Sequence, residues 1–200
     1  MSDDVVSLLK GLRSDQGDFN ENLRSKLLTL SEQPKLPPKK KTDMEVYNEL
    51  SQNDPELAAI AMIESSGGKN YKHHMDPNSG MTAGGMFGMM PFTASDVVRL
   101  DKNIAQKYPD IVEYTKNLKK SHPKITEFFN TNPEAAVEFA KSHYARAKAK
   151  LGTPERSAHA WFSGIRGTLN KTPEQIDSHE YVQKFKKLYR PKVTKVAQED

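Results

Sequence analysis

Glu64 is the residue whose surroundings most favour chemistry. It follows the apolar run 57–63 and precedes Ser65-Ser66-Gly67-Gly68, so it should lie at the C-terminal end of an apolar helix. Burial among apolar neighbours and the partial negative charge of a helix C-terminus both disfavour the ionised carboxylate and raise its pKa. Such a carboxyl group can act as a general acid near neutral pH. The alternative is a solvent-facing glutamate that only ends the helix.

The segment after this helix is the second candidate for chemistry. Residues 70–88 are rich in glycine, proline, asparagine and histidine, which predicts an irregular segment. Irregular segments of about twenty residues are uncommon in compact domains and are usually functional. Glycines allow the backbone to approach a ligand closely. The sequence Gly84-Gly85-Met86-Phe87-Gly88 lacks the Gly-Lys-Ser/Thr ending of a phosphate-binding loop, so we exclude that kind of site.

Two further features of this segment have alternative interpretations. Asp76 lies downstream of Glu64 and could provide a second catalytic carboxylate, but Asp76-Pro77-Asn78 is also typical of a turn. His73 and His74 are adjacent on a loop and would point in different directions, and the chain has no metal-binding spacing of histidines on a helix. The sequence contains no cysteine, which excludes disulfides, thiol catalysis and zinc–thiolate sites. We therefore expect no metal and no cofactor.

The elements that must position these residues are predicted to be helices. Asp54-Pro55 is a helix cap followed by proline at the first helical position, and that helix should end at Gly67-Gly68. The next helix should begin at Thr93. Further helices are predicted at 111–120, 122–129, 133–151, 154–162 and 178–189, and a small β-hairpin could form only within 79–90. These patterns predict an all-α, or α-dominated, fold.

The chain divides into three regions by composition. Residues 1–42 contain two short apolar periodic stretches, which predict a short helical N-terminal arm. The arm ends in a linker at 33–41, where three prolines and four lysines can neither continue a helix nor pack a core. We therefore predict a domain at 43–190 and a C-terminal tail at 191–200.

Composition and charge limit the class of protein. No apolar stretch approaches the roughly 18 residues of a membrane span, and the N-terminus lacks the basic start and apolar run of a signal peptide. The net charge of +4 suits any polyanion, including nucleic acid, an anionic membrane and a bacterial cell wall. The only support for a nucleic-acid partner is this charge and the lysines at 39–41, and we do not favour that hypothesis.

Three blocks of sequence resemble one family of wall-cleaving enzymes. They are Glu64-Ser65-Ser66-Gly67-Gly68, Ala83-Gly84-Gly85-Met86-Phe87-Gly88-Met89-Met90-Pro91-Phe92-Thr93-Ala94, and Ala160-Trp161-Phe162-Ser163-Gly164. Their order over about residues 44–190 resembles the lysozyme-like soluble lytic transglycosylases and the goose-type lysozymes. The chain departs from the transglycosylase pattern at Gly88, where that pattern has glutamine, and at Trp161-Phe162, where it has Tyr-Asn.

The resemblance implies a lysozyme-like helical domain that cleaves the β-1,4 bond between N-acetylmuramic acid and N-acetylglucosamine in peptidoglycan. Glu64 would be the single catalytic acid and base, as in the exceptions to the usual two-carboxylate scheme of glycosidases. The residues implied in substrate binding are Ser65, Ser66, Gly85, Phe87, Gly88, Met90, Trp161, Phe162 and Ser163. For the rings of Phe87 and Phe162 a core position is an equal alternative, for Tyr144 the core is favoured, and for Trp161 the cleft is favoured.

The resemblance also leaves two other functions open. One is hydrolysis, as in goose-type lysozymes, with Asp76 as a second carboxylate. The other is a catalytically weak structural component of a virion or phage tail that keeps the fold. Since a wall-cleaving enzyme without a signal peptide must reach peptidoglycan by another route, we expect a bacteriophage or prophage protein. It would be made in the cytoplasm and either carried in the virion or released at lysis, with residues 1–42 docking to a virion or secretion-apparatus protein.

Overall fold

The computed structural model describes residues 40–71, 73 and 75–189. These residues form a helical fold, which confirms the predicted all-α class. The helices are α1 (Asp43–Asn53), α2 (Pro55–Ser65), α3 (Pro91–Leu100), α4 (Lys102–Lys107), α5 (Pro109–Thr115), α6 (Leu118–Thr131), α7 (Pro133–Leu151), α8 (Pro154–Leu169), α9 (Pro173–Asp177) and α10 (Glu180–Leu188). The predicted N-terminal arm, except for residues 40–42, and the predicted tail at 191–200 lie outside the described residues.

Most helices begin with proline at the first helical turn after a capping residue. The Asp54 side chain accepts a hydrogen bond from Leu57 N, and Thr153 does the same for Arg156 N. Proline is tolerated there because its missing N–H would have no partner inside the helix. This signal explains why the starts of α2, α7 and α8 agree with the sequence prediction.

Other helix boundaries were predicted wrongly. The helix predicted at 111–120 is two helices, because α5 ends at Thr115 and the Asn117 side chain caps the start of α6 at Lys120 N. The third helix begins at Pro91 rather than at Thr93. The helix predicted at 154–162 continues to Leu169 across a break at Gly164, where φ is 75° and ψ is 161°. Three helices, α1, α4 and α9, were not predicted.

The glycine-rich segment is irregular, as predicted, and it packs against α6. Its β-structure is limited, within the described residues, to two isolated antiparallel bridges, Met75 with Thr82 and Gly84 with Met89. Thr126 on α6 donates a hydrogen bond to Thr82 O at 2.6 Å. A Cβ atom at Gly84 would lie 2.5 Å from Thr126 O, so only glycine permits this close contact.

One hydrophobic core joins the segment to the helices. It contains large side chains that are completely buried, among them Ile60 on α2, Phe87 in the segment, Phe129 on α6 and Phe139 on α7. Helix α10 packs against both α2 and α8. This arrangement brings the C-terminal end of α2 beside the start of α10. Within the described part of the chain, no helix is both long and apolar enough to cross a membrane.

Candidate active site

Hydrogen bonds of Ser65 connect the end of α2 to the glycine-rich segment. Ser65 is the last residue of the helix, and the C-cap residue Ser66 adopts the left-handed conformation with φ of 55°. The Ser65 hydroxyl is buried, donates a hydrogen bond to Met86 O at 2.7 Å and accepts one from Gly68 N at 2.8 Å. These bonds fix the backbone on both sides of the helix end, so the preceding residue, Glu64, has a defined position.

The carboxyl group of Glu64 is mostly buried and hydrogen-bonded. Tyr181, in the first turn of α10, donates its phenolic proton to Glu64 Oε1 at 2.7 Å. Burial raises the pKa of Glu64 to about 6, against the opposing effect of the Tyr181 hydrogen bond. Burial thus shifts the pKa in the direction that the sequence analysis predicts, and the carboxyl group is mostly buried rather than solvent-facing.

Gly88 lies against the other carboxylate oxygen. A Cβ atom at position 88 would be 2.7 Å from Glu64 Oε2 and 3.4 Å from Cε1 of His73, and the φ angle of Gly88 is 58°. At this position, where the resembled family has glutamine, a side chain would strain the backbone and displace the Glu64 carboxyl group. His73 Nε2 lies 2.9 Å from Gly85 O, so this nitrogen carries a proton and donates to the carbonyl.

A pocket of about 280 Å³ adjoins Gly88. Its wall consists of Gly88, Met89, Met90, Phe92, Thr93, His143 and the stretch 160–164. Five of the predicted substrate-binding residues line it, namely Gly88, Met90, Trp161, Phe162 and Ser163. Trp161 is held in place because its indole N–H donates to Phe87 O at 3.2 Å. Phe162 is 62% exposed, so its ring face is available to a ligand.

The remaining predicted substrate-binding residues do not line the pocket. Phe87 is fully buried, so its predicted role as a sugar platform is wrong; its carbonyl oxygen and its ring instead support Trp161. The Ser65 hydroxyl is engaged within the protein. Gly85 is buried against Phe129, while Ser66 is exposed at the end of α2. Tyr144 is a core residue, as expected.

Asp76 organises a turn in the glycine-rich segment. Its carboxylate accepts hydrogen bonds from the backbone N–H of Asn78 at 3.2 Å and of Ser79 at 3.1 Å, and from the Ser79 hydroxyl at 2.6 Å. These bonds lower the pKa of Asp76, the Ser79 side chain having the largest effect. The carboxylate is therefore ionised and engaged in the turn. The residues that line the pocket include no aspartate or glutamate.

The sequence analysis missed two residues of this site, Tyr181 and His143. Tyr181 is far from Glu64 in sequence and follows the helix cap His179, whose Nδ1 accepts from Tyr181 N at 3.2 Å. It shares a buried helix face with Val182 and Phe185, so its pattern is that of an ordinary core tyrosine. His143 lies on α7, where burial and Arg146 lower its pKa to about 4. Neither residue carries a local sequence signal.

The described residues contain no group of three or more histidine, cysteine, aspartate or glutamate side chains that could hold a metal ion.

Comparisons with known proteins identify no relative of this chain. We find no match to this chain among protein-family models, curated proteins or solved structures. The comparisons therefore assign the chain to no family, and we base the proposed function on the geometry around Glu64 and on the sequence resemblance.

Proposed function

We propose that this protein is a peptidoglycan lytic transglycosylase with Glu64 as its single catalytic acid and base. The observation that carries the proposal is the carboxyl group of Glu64, which is mostly buried, hydrogen-bonded by Tyr181, raised by burial to a pKa of about 6, and in contact with Gly88, a residue of the pocket wall. A general acid works best when its pKa is close to the working pH. A strongly perturbed carboxyl next to a pocket is also typical of a functional site.

Protonated Glu64 would donate its proton to the glycosidic oxygen as the bond from the anomeric carbon breaks. The N-acetyl oxygen of the substrate would stabilise the anomeric carbon, as the resemblance implies. Ionised Glu64 would then take the proton of the C6 hydroxyl, whose oxygen forms a bond to the anomeric carbon and closes an anhydro ring. The proton returns to Glu64, so the step needs no water and no second carboxylate.

The surroundings of Glu64 support both halves of this reaction. Glu64 does not itself line the pocket, but its Oε2 atom lies beside Gly88, which does, while Oε1 accepts from Tyr181. The hydrogen bond favours the carboxylate, and burial favours the carboxylic acid, so the group can change protonation near pH 6. Trp161 and Phe162 provide aromatic faces that suit the C–H face of a sugar ring.

Analysis of muropeptides by mass spectrometry tests the proposal. The full chain should release fragments with anhydromuramic ends from purified peptidoglycan, and Glu64→Gln should lower the rate at least about 100-fold. Asp76→Asn is the matched carboxylate control and should keep the activity. Equal activity of wild type and Glu64→Gln, or no activity in either, would contradict the proposal.

The same experiment distinguishes the hydrolytic alternative. Reducing muramic acid ends, together with loss of activity in Asp76→Asn, would identify a hydrolysing lysozyme of the goose type.

The route to the cell wall is a separate proposal, namely that residues 1–42 dock to a virion or secretion-apparatus protein. Co-purification of the full chain with such a protein would support this, whereas free diffusion in lysates without a partner would contradict it.

A further inference from the structure

The pocket contains an imidazole whose tautomer is determined by its neighbour. Arg146 lies one turn after His143 on α7, and its Nη2 atom is 3.2 Å from His143 Nδ1. A guanidinium group is only a donor, so Nδ1 must be the acceptor and the proton of the neutral imidazole lies on Nε2. The ring also stands edge-on to Trp161, with the ring centres 5.2 Å apart and an interplanar angle of 78°.

The Nε2–H group of His143 is available to the pocket. Among the described residues, the one side-chain polar atom that is fully buried without a hydrogen-bond partner is His122 Nδ1. The described residues give His143 Nε2 no hydrogen-bond partner, and since it is not a fully buried unpartnered atom either, it must be accessible; His143 is also part of the pocket wall. When a ligand displaces water from the pocket, the Nε2–H group would be left without a hydrogen-bond partner, which costs free energy. A ligand that carries a hydrogen-bond acceptor avoids this cost and should bind more tightly.

The pocket wall has no ionised side chain. The residues that line it include no aspartate, glutamate, lysine or arginine. A ligand carboxylate would lose water there without gaining a counter-ion, and so would an ammonium while Glu64, beside Gly88, is uncharged or replaced by glutamine; both are unfavourable. An acetamido group has a carbonyl oxygen that can accept from Nε2–H and a methyl group that suits the apolar surface of Met90 and Trp161.

We propose that His143 is a ligand-binding, specificity-determining residue, which donates from Nε2 to the carbonyl oxygen of an acetamido group, and that Arg146 positions it by fixing its tautomer. The pocket would thus select N-acetylated amino sugars over the free amines. The choice of amino sugars as the ligand class rests on the proposed function, while the tautomer rests on the geometry of His143 and Arg146.

Burial and two charged groups determine whether the imidazole stays neutral. Burial disfavours its protonation most, Arg146 on α7 also disfavours it, and Asp96 on α3 favours it. The first two effects dominate and lower the pKa of His143 to about 4. The donor should therefore be present, with Nδ1 unprotonated, throughout the range from about pH 5 to pH 8.

Binding measurements in Glu64→Gln, which should not cleave the ligand, test the proposal. By calorimetry, the pentamer of N-acetylglucosamine should bind about tenfold more tightly than the pentamer of glucosamine. Adding His143→Phe should weaken binding of the acetylated pentamer about three- to tenfold, the usual effect of losing one neutral hydrogen bond. It should also remove most of the discrimination between the two pentamers.

Variants of Arg146 and nitrogen NMR separate this role from a structural one. In the unmodified protein, ¹⁵N spectra should show the His143 proton on Nε2. Arg146→Met should move part of it to Nδ1 and make binding depend on pH between 5 and 7, whereas Arg146→Lys, which keeps the charge and a donor, should restore the Nε2 tautomer. The NMR measurement keeps the test valid even if His143→Phe does not fold.

Several outcomes would overturn the inference. They are a wild-type imidazole protonated on Nδ1, equal binding of the two pentamers, no binding of either, or unchanged discrimination in His143→Phe. Failure of the proposed function gives a different result. If the wild type selects the acetylated pentamer but does not cleave peptidoglycan, the proposed function is wrong and the role of His143 in binding stands. Conversely, cleavage without discrimination would overturn only the role of His143.

Discussion

At the scale of single residues, Glu64 lowers the stability of the protein at neutral pH. Burial raises its pKa from 4.5 to about 6, so the folded protein holds this proton more tightly than the unfolded chain. The stabilisation from the bound proton is complete below about pH 4.5 and is lost as the pH rises through about 6. A shift of this size corresponds to about 2 kcal/mol in the free energy of unfolding. The burial that would prepare Glu64 for the proposed reaction thus lowers the stability of the fold at neutral pH.

Replacing Glu64 with glutamine should remove this pH-dependent loss of stability. The amide oxygen can still accept from Tyr181, but the side chain no longer titrates. Relative to wild type, we expect Glu64→Gln to gain about 2 kcal/mol between pH 4.5 and pH 7.5. Urea unfolding of both proteins at the two pH values measures the gain. The exposed Glu127→Gln is the control and should change by less than about 0.5 kcal/mol; an equal gain there would contradict the assignment to Glu64.

Tyr181 should determine the pH range of activity. Its hydrogen bond lowers the pKa of Glu64, so Tyr181→Phe should raise that pKa further. Because the first step requires protonated Glu64, the alkaline fall of kcat/KM should move to higher pH. The rate should also fall about three- to tenfold, since one hydrogen bond that orients the carboxyl group is lost.

A pH–rate profile of wild type and Tyr181→Phe tests this expectation. Tyr114→Phe, on α5, which contributes no residue to the pocket wall, provides a matched phenol deletion that should leave the profile unchanged. An alkaline limb that stays in place in Tyr181→Phe would show that Glu64 is not the group titrating there.

At the scale of elements, the helix starts and the irregular segment could be predicted, whereas their packing could not. Asp54-Pro55 and the residues before Pro133 and Pro154 are local signals, because a cap and the following proline act within one turn. Glu64 was found for the same reason, since its apolar neighbours adjoin it in sequence. Tyr181 and His143 reach the site only through the packing of α10 and α7, which no local pattern records.

Within the glycine-rich segment, Gly88 and Gly80 should respond differently to the same substitution. Both have positive φ angles, 58° and 67°, so alanine should cost about 1–2 kcal/mol of backbone strain at either position. Only at position 88 would the new Cβ atom meet Glu64, at 2.7 Å from Oε2, while no atom lies within 4 Å of the Cβ position at Gly80. We therefore expect Gly88→Ala to lose activity at least tenfold and Gly80→Ala to keep it.

Thermal unfolding together with activity measurements compares the two variants. Similar losses of stability with activity lost only in Gly88→Ala is the expected result. Equal activity in both would contradict the position of the Glu64 carboxyl group beside residue 88.

At the scale of the whole molecule, the site depends on one shared core. Buried residues from α2, the glycine-rich segment, α6, α7 and α10 belong to a single hydrophobic cluster. Phe139 lies at its centre, with its ring 5.1 Å from the ring of Phe129 and 5.4 Å from that of Tyr108. Because the elements of the site share this core, we expect the pocket and the helices to unfold together.

Trp161, the single tryptophan of the sequence, allows this expectation to be tested. Its fluorescence reports on the pocket wall, and far-UV circular dichroism reports on the helices. The two urea transitions should coincide, as they do in two-state unfolding. Phe139→Ala should shift both to lower urea concentration by an equivalent of about 3–5 kcal/mol. Separate transitions would show that the site unfolds independently of the core.

The methionines of the glycine-rich segment imply a sensitivity to oxidants. Met86 and Met89 are buried, whereas Met90 is partly exposed and forms part of the pocket wall. Peroxide converts an accessible thioether to a polar sulfoxide. Conversion at Met90 would make the wall hydrophilic while the buried sulfur atoms are spared, so mild oxidation should impair the proposed ligand binding before it unfolds the protein.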